Sequence, residues 1–118
     1  MRNPKRSLRL RLWDILNAIE TAKLAVGDLS MEAFQTDLIR KLAAERSVEI
    51  ISEASRHVPA ELKSRTADLP WTQIAGIGNI LRHGYDTVDP EVIWKLTRAD
   101  LDPLAVAVRL LMAEVEAG

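Results

Sequence analysis

Helix-start signals, and the spacing of apolar residues between them, constrain the fold of this 118-residue chain most strongly. Ser30 is a typical helix-capping residue. Asp89-Pro90 and Asp102-Pro103 each combine a capping aspartate with a proline at the first helical position. Between these signals apolar residues recur every three or four positions, without strand-like alternation or a two-residue hairpin turn. The sequence therefore predicts an all-α protein.

The first predicted helix runs from about Ser7 to Val26 and stops at Gly27. The second begins at Ser30 and continues to about His57, ahead of Pro59. This second helix has apolar residues on more than one side, which is typical of a central helix packed by several neighbours. Those residues are Leu38, Leu42, Val48, Ile50, Ile51 and Ala54.

The helix-start signals after residue 58 predict the remaining helices of a bundle. Residues 59–70 are polar and predict a loop with a short helical turn, and Pro70 fits the start of a third main helix. Asp89-Pro90 begins a short helix, and Asp102-Pro103 opens the last one. We expect an antiparallel four-helix up-and-down bundle plus one short helix, in a single domain over residues 1–118. Three tryptophans, Trp13, Trp71 and Trp94, are scattered and are expected in the core.

Composition narrows the function. The chain is 47% hydrophobic and 28% charged, has a formal net charge of -1 and contains no cysteine. Thiolate metal sites and disulfides are therefore excluded, and any nucleic-acid binding must come from a local basic patch. No run approaches the roughly 20 apolar residues of a membrane span, so we expect a cytoplasmic protein that does not enter membranes. No metal or other cofactor is expected.

The densest group of reactive side chains lies between Trp71 and Asp89. On a helix Asn79 and His83 share one face, Arg82 adjoins His83, and Tyr85 follows just beyond. An imidazole can remove a proton from a ribose 2′-hydroxyl, whose oxygen then attacks the adjacent phosphorus without a metal. A guanidinium can hold the developing phosphate charge, and an amide can orient either group.

Structural roles remain open for several of these residues. His83 can be a histidine satisfied by local hydrogen bonds, and Tyr85 a half-buried aromatic with a hydrated hydroxyl. His57 lies near a helix end where a cation is favoured, and we interpret it as structural. A charged stripe of Arg46, Glu49 and Glu53 follows one helix face, on which Arg46 and Glu49 can pair. This stripe is either a solvated face, the polar wall of a cleft or a two-fold interface.

The segments around these residues resemble the HepT-like members of the HEPN superfamily, small all-helical ribonuclease toxins paired with minimal nucleotidyltransferase antitoxins. The resemblance covers nearly the whole chain. It rests on Arg46-Ser-Val-Glu49-Ile-Ile-Ser-Glu53-Ala, on Pro70-Trp71, on Asn-Ile-Leu-Arg-His-Gly-Tyr at residues 79–85, and on Val88-Asp89, Val92 to Trp94 and the Asp-Leu-x-Pro-Leu opening of the last helix.

The family motif is Arg-Asn-x-x-x-His-x-Tyr, which the resemblance carries onto Asn79, His83 and Tyr85. Gly78 stands at the arginine position and removes the phosphate-binding cation there. Either Arg82 supplies that charge, or the ribonuclease is weakened or lost. The resemblance also implies a homodimer whose motif helices meet across a two-fold cleft, and an antitoxin that silences the toxin by attaching AMP to Tyr85, as in type VII toxin–antitoxin pairs.

Three functions therefore remain open. The first is a metal-independent endoribonuclease toxin with catalytic His83, Arg82 and Asn79. The second is a non-catalytic helical module that binds a nucleotidyltransferase, a nucleotide or RNA, and Gly78 favours it. The third is a plain helical dimerisation protein, which the modest net charge supports.

Overall fold

The computed structural model describes residues 4–69, 71–72 and 90–117. Every regular element in these ranges is a helix, which confirms the all-α prediction. The elements are α1 (Pro4–Val26), α2 (Met31–Thr36), α3 (Leu38–Ser55), α4 (Ala60–Ser64), α5 (Pro90–Ala99) and α6 (Leu101–Ala117). Predicted helices or helix starts correspond to α1, α3, α5 and α6, and α4 is the short helical turn expected between Pro59 and Pro70.

Helix α1 lies at the centre of the described core. Its apolar stripe buries Leu12, Ile15 and Ile19 completely, as expected from their spacing. The helix ends at Gly27, whose φ of 52° places it in the left-handed region that glycine adopts without steric cost. The Gly27 N–H donates to the carbonyl of Lys23 at 2.7 Å, so the predicted stop is confirmed as a glycine cap.

The prediction of a single long second helix from Ser30 is wrong, because the chain divides into α2 and α3 at Asp37. Ser30 caps α2 as predicted, and its hydroxyl accepts a hydrogen bond from the Ala33 N–H at 3.1 Å. Asp37 has extended backbone angles, φ -98° and ψ 96°, and its carboxylate accepts from the Arg40 N–H at 3.1 Å. An aspartate side chain that binds a backbone N–H three residues ahead starts a new helix, which explains the break.

Burial on α3 is also more one-sided than predicted. Val48, Ile51 and Ala54 are buried, whereas Leu38 and Leu42 are exposed. The break at Asp37 accounts for part of this difference, because Leu38 becomes the first residue of a helix instead of a mid-helix position. Helix α3 thus packs through one face and leaves apolar side chains on its outer surface.

Helices α5 and α6 follow closely on each other. Asp100 lies between them, and its carbonyl accepts from the Leu104 N–H at 3.2 Å. Helix α6 therefore begins at Leu101, one residue before the predicted Asp102-Pro103 signal. Helix α1 packs mainly on α3 and then on α6, and α5 packs on α2 and α6. The buried residues of these helices form one cluster.

The tryptophans occupy three different environments. Trp71 is buried and Trp94 is half-buried against the core, but Trp13 is more than half exposed on α1, contrary to the prediction. Position on a helix explains the error, since Trp13 lies outside the buried stripe that contains Leu12 and Ile15. Within the described ranges, no helix combines the length and apolar character needed to cross a membrane.

Candidate functional site

The predicted catalytic residues Asn79, Arg82 and His83, together with Gly78 and Tyr85, lie outside the described residues. Their roles therefore stay predictions. Two described tryptophans nearest to these residues in sequence, Trp71 and Trp94, pack against the core.

Trp71 contacts residues that shortly precede it in the chain. Its indole N–H donates to the Thr66 hydroxyl at 3.1 Å, and its backbone N–H donates to the Leu69 carbonyl at 2.9 Å. The Lys63 ammonium lies 5.6 Å from the centre of the indole ring, within the range of a cation–π contact. Because the ring is also buried, Trp71 is fixed both by packing and by directional bonds.

Trp94 and Arg98 hold α5 against the end of α1. The Trp94 indole N–H and the Arg98 guanidinium both donate to the Leu29 carbonyl, each at 2.9 Å. Arg98 also donates to the Gly27 carbonyl at 3.3 Å and lies over the Trp94 ring at 4.7 Å. Carbonyls that no helix satisfies at the end of α1 thus gain partners, and α5 is anchored beside the end of α1.

The predicted cleft-wall residues Arg46, Glu49 and Glu53 are all described, and they line one groove of about 220 Å³ between α1 and α3. Helix α1 contributes Arg11 and Asp14 to the same groove, and Ile50 and Ala54 contribute apolar surface. A second cavity of about 300 Å³ adjoins it and shares Asp14, Arg46 and Ile50. The two cavities therefore lie next to each other along the α1/α3 boundary, and we call them together the α1/α3 channel.

The charged side chains that α3 contributes to this groove have partners close by in the sequence. Arg46 donates to Glu49, as the sequence predicted for this pair. His57 lies 3.6 Å from Glu53, measured from imidazole Nε2 to carboxylate Oε1. His57 itself is exposed just beyond the end of α3 and contacts this acidic neighbour, which agrees with the structural role expected for it.

The groove is not a basic patch. Its charged residues are two arginines and three carboxylates, Arg11, Arg46, Asp14, Glu49 and Glu53. Strong binding of a phosphate chain requires clustered cations, because each neutralised phosphate contributes to affinity. Alternating charges of both signs instead suit a protein surface of complementary pattern. Among the described residues, this groove therefore fits a protein contact better than an RNA contact.

Sequence reasoning missed Arg11 and Asp14. Arg11 directly precedes Leu12 and Asp14 directly precedes Ile15, so their helical position at the edge of the buried stripe was visible in the sequence. Nothing local, however, indicates which helix covers that edge. Only the packing of α1 on α3 brings these side chains beside Arg46.

Comparison with known proteins assigns a class and then a family. A model of the ribonuclease HepT-like family matches residues 15–111. A protein of Thermococcus cleftensis named "Probable ribonuclease HepT" is 35% identical over 100 residues, covering 85% of this chain and 91% of its own length. No solved structure matches the chain significantly.

Two further relatives carry similar names. One from Caldanaerobacter subterraneus, named "Putative RNase TTE0752", is 32% identical over 101 residues, covering 86% of this chain and 90% of its own. One from Methanocaldococcus jannaschii, named "Putative RNase MJ1380", is 28% identical over 107 residues, with 91% and 98% covered. The protein is thus an all-helical relative of ribonucleases. It belongs to the ribonuclease HepT-like family.

Proposed function

We propose that this protein is a metal-independent endoribonuclease toxin that cleaves RNA by attack of a ribose 2′-hydroxyl on the adjacent phosphate. The single observation that carries the proposal is the family match, which spans residues 15–111 and so includes the motif at residues 79–85. The imidazole of His83 removes or delivers the proton, and Asn79 orients it. A single domain and a cytoplasmic location, where RNA is available, complete this proposal.

Arg82 takes the charge-stabilising role in this mechanism. The transition state gathers negative charge on the phosphate oxygens, and a guanidinium offers paired N–H donors to it. Gly78 supplies no cation, and the described α1/α3 groove carries more carboxylates than arginines. Arg82 directly precedes His83 in sequence. Because Gly78 and the groove do not supply the positive charge, the proposed reaction depends on Arg82.

Regulation follows from Tyr85. We propose a homodimer with the motif segments at a shared cleft, and a nucleotidyltransferase antitoxin that attaches AMP to the Tyr85 hydroxyl. The phenolic oxygen attacks the α-phosphorus of ATP, pyrophosphate leaves, and the phenol loses its proton. The added phosphate places negative charge two residues from His83, where it repels an anionic substrate and blocks it by bulk.

Cleavage of a structured RNA by the wild type and by His83→Ala tests the catalytic assignment. The chain contains one other histidine, His57, which is exposed and paired with Glu53, so His57→Ala is a matched control. We expect a loss of at least about 100-fold in cleavage for His83→Ala, the usual size of a general acid–base contribution. His57→Ala should cleave normally. Equal rates for both variants would remove His83 from the mechanism.

A non-catalytic binding module is the second candidate, and Gly78 favours it. Gly78→Arg distinguishes the two functions, because it restores the cation of the family motif. Increased cleavage shows that the natural protein is an attenuated enzyme, and an unchanged rate shows that Arg82 suffices. If neither the wild type nor Gly78→Arg cleaves RNA, the binding module is the better description.

Incubation with a candidate nucleotidyltransferase and ATP tests Tyr85. Peptide mass spectrometry should find an adenylyl group on Tyr85 and none on the Tyr85→Phe variant. Since the chain has a single tyrosine, modification that persists in Tyr85→Phe places the acceptor on another residue type.

A further inference from the structure

Positive charge is concentrated in one short stretch of the sequence. Five of the 16 lysine and arginine residues lie within the first 11 positions, whereas all 17 aspartate and glutamate residues come later, from Asp14 onward. The chain beyond position 13 therefore carries more carboxylates than cations, although the formal net charge of the whole chain is only -1. A local concentration of cations can attract an anionic partner that the net charge alone would not predict. These five cations, which we call the basic stretch, are Arg2, Lys5, Arg6, Arg9 and Arg11.

Helix α1 arranges part of the basic stretch along one side. Residues 5–11 lie in its first turns, and positions 6, 9 and 13 follow at intervals of three and four, so they share one helix face. Leu12, Ile15 and Ile19 occupy the side that is buried in the core. Arg9 and Trp13 are exposed, and they line neither cavity of the α1/α3 channel. We call the outward surface around these two residues the basic face.

Arg9 forms no ion pair with any described carboxylate. Several other arginines of the described ranges do form such pairs, namely Arg40, Arg46, Arg65 and Arg109. Within those ranges, no carboxylate therefore competes for the Arg9 guanidinium. Its forked N–H donors suit the oxygens of a phosphate group.

Trp13 adds an aromatic surface one turn along the same face from Arg9. It is 54% exposed, whereas Trp71 is buried and the Trp94 indole donates to the Leu29 carbonyl. Within the described ranges, neither a hydrogen bond nor a cation–π contact involves the Trp13 ring. A single exposed apolar residue is ordinary. An indole beside such an arginine, however, combines the two groups that bind single-stranded nucleic acids, a stacking surface and a phosphate-binding cation.

We propose that the basic face binds single-stranded RNA, with a phosphate held by Arg9 and an unpaired base stacked on the Trp13 indole. The other cations of the basic stretch add attraction, because each neutralised phosphate contributes to affinity. Asp14 and Glu20 follow on α1 and end the positive region, so the contact covers only a few nucleotides.

The choice of RNA as the anion rests on the proposed function, but the contact uses no residue of the motif at 78–85. In the proposed ribonuclease the basic face is a second attachment point for the substrate. Binding energy that is the same for the substrate and the transition state lowers KM without raising kcat. The basic face should therefore act on KM, whereas His83 acts on kcat.

An anionic membrane surface is the other partner that basic amphipathic helices commonly bind. Such a helix buries a continuous apolar face in the lipid. In α1 that face is already occupied, because Leu8, Leu12 and Ile15 pack in or against the protein core. Only Leu10 and Trp13 remain exposed near the cations. The basic face therefore fits a nucleic-acid strand better than a lipid surface.

Binding of an uncleavable strand tests the proposal separately from catalysis. The probe is a fluorescein-labelled, single-stranded 2′-O-methyl RNA of about 12 nucleotides, which lacks the nucleophile of the proposed reaction. Fluorescence anisotropy with the full chain gives the Kd. Trp13→Ala should raise the Kd at least about 5-fold, the loss expected for one stacked base, and Trp13→Phe should recover most of the affinity.

Arg9→Ala should also weaken binding, and it should change the salt dependence. Loss of one phosphate contact on a single strand reduces the slope of log Kd against log salt concentration by about 0.7. Trp13→Ala removes no charge and should leave this slope unchanged. An unchanged slope in Arg9→Ala would remove the assigned phosphate contact.

Two exposed residues of α6 provide matched controls away from the basic face. Arg109→Ala removes one cation and Leu110→Ala removes one exposed apolar side chain, and both should bind the strand like the wild type. Circular dichroism should show the same helix content for every variant. A strand of the same length without bases should bind the wild type more weakly than the complete strand, and Trp13→Ala should weaken it no further.

Cleavage kinetics separate a failure of this inference from a failure of the proposed function. If the wild type cleaves RNA, Trp13→Ala should raise KM far more than it lowers kcat. Cleavage with an unchanged KM in Trp13→Ala would remove the basic face and leave the ribonuclease assignment intact. Strand binding that depends on Trp13, without cleavage by the wild type or Gly78→Arg, would make the basic face the RNA site of a non-catalytic module.

Vesicles of phosphatidylserine and phosphatidylcholine test the membrane alternative, and the wild type should not sediment with them. A wild type that does not bind the strand would overturn the proposal. So would equal affinity in Arg9→Ala, Trp13→Ala and the two controls. Vesicle binding that depends on Trp13, without strand binding, would assign the basic face to a membrane surface instead.

Discussion

On the flank of α1 that faces α6, charged side chains connect two helices, whereas on the flank that faces α3 the observed pairs lie within one helix. Lys23 bonds Asp102 at 2.6 Å, and Arg109 approaches Glu20 at 3.7 Å, both across the α1/α6 boundary. Across the channel, Arg46 instead bonds Glu49 of its own helix. The first boundary is closed at the surface, and the second is an open channel.

The difference shows that charged side chains can be satisfied between helices on one flank of a helix and within a single helix on the other. The hydrogen bond and charge of Asp102 raise the pKa of the Lys23 ammonium above its usual value, which favours the charged form of this lysine. At the end of the same flank, Arg98 and Trp94 satisfy carbonyls that follow α1. On the α3 flank, buried side chains such as Val48 and Ile51 pack beneath the surface, and apolar groups such as Ile39 and Leu42 stay exposed on it.

The largest loss in the free energy of unfolding should come from truncating a residue in the buried stripe of α1, which lies between the two flanks. Ile19 is fully buried, so Ile19→Ala should lower the free energy of unfolding by about 2–5 kcal/mol through lost contacts and a cavity. Leu24→Ala removes an aliphatic side chain that is 78% exposed and should change it by less than about 0.5 kcal/mol. Urea unfolding measures both. Similar losses would mean that the outer face of α1 is part of the core.

The second-largest loss of stability should follow truncation of Arg98, which joins α5 to the end of α1. Arg98→Ala removes donors to the Gly27 and Leu29 carbonyls and the contact with the Trp94 ring. Because the guanidinium is exposed, we expect a cost of about 1–2 kcal/mol in thermal or urea unfolding. Arg46→Ala, an exposed arginine of the open flank, is the comparison and should cost less. The reverse order would contradict the assignment of the two flanks.

Ion pairs on either flank should contribute little to folding. Double-mutant cycles on Glu20 with Arg109 and on Arg46 with Glu49 should give coupling energies below about 0.5 kcal/mol, because all four groups contact solvent. The measurement is urea unfolding in low salt, repeated at high salt, where both couplings should fall. A coupling above about 1 kcal/mol for the first pair alone would mean that charges stabilise the closed flank directly.

The smallest effect concerns Glu45, a partly buried residue of α3. Burial raises the pKa of its carboxyl above the usual value of 4.5, and Lys41 lowers it by a smaller amount. The folded chain therefore holds this proton more tightly than the unfolded chain, so stability is greatest below the unfolded pKa and falls as pH rises through the folded pKa.

Replacement of Glu45 by glutamine, its neutral isostere, tests this direction of the pH dependence of stability. Glu45→Gln should unfold at a higher temperature than the wild type at pH 7, and the difference should disappear below about pH 4. Glu116→Gln, on the exposed end of α6, should not show this gain. A Glu45→Gln variant that is less stable than the wild type at pH 7 would show that the carboxylate has a favourable partner.

Local signals were sufficient for much of the fold. Capping by Ser30, termination at Gly27 and the start near Pro90 each depend on residues within one turn, and each was visible in the sequence. Asp37 was overlooked because the surrounding residues continue the helical spacing. Its carboxylate competes for the Arg40 N–H and divides the helix, an event that periodicity alone does not register.

What the sequence by itself determined is the helical class, most helix ends and the family motif, because these follow from neighbouring residues and a recognisable order. Tertiary structure decided which helix faces are covered. It placed Arg11 and Asp14 beside Arg46, left Trp13 outside and opened the channel between α1 and α3. The physical reason is that burial depends on the partner packed against a face, and residues distant in the chain supply that partner.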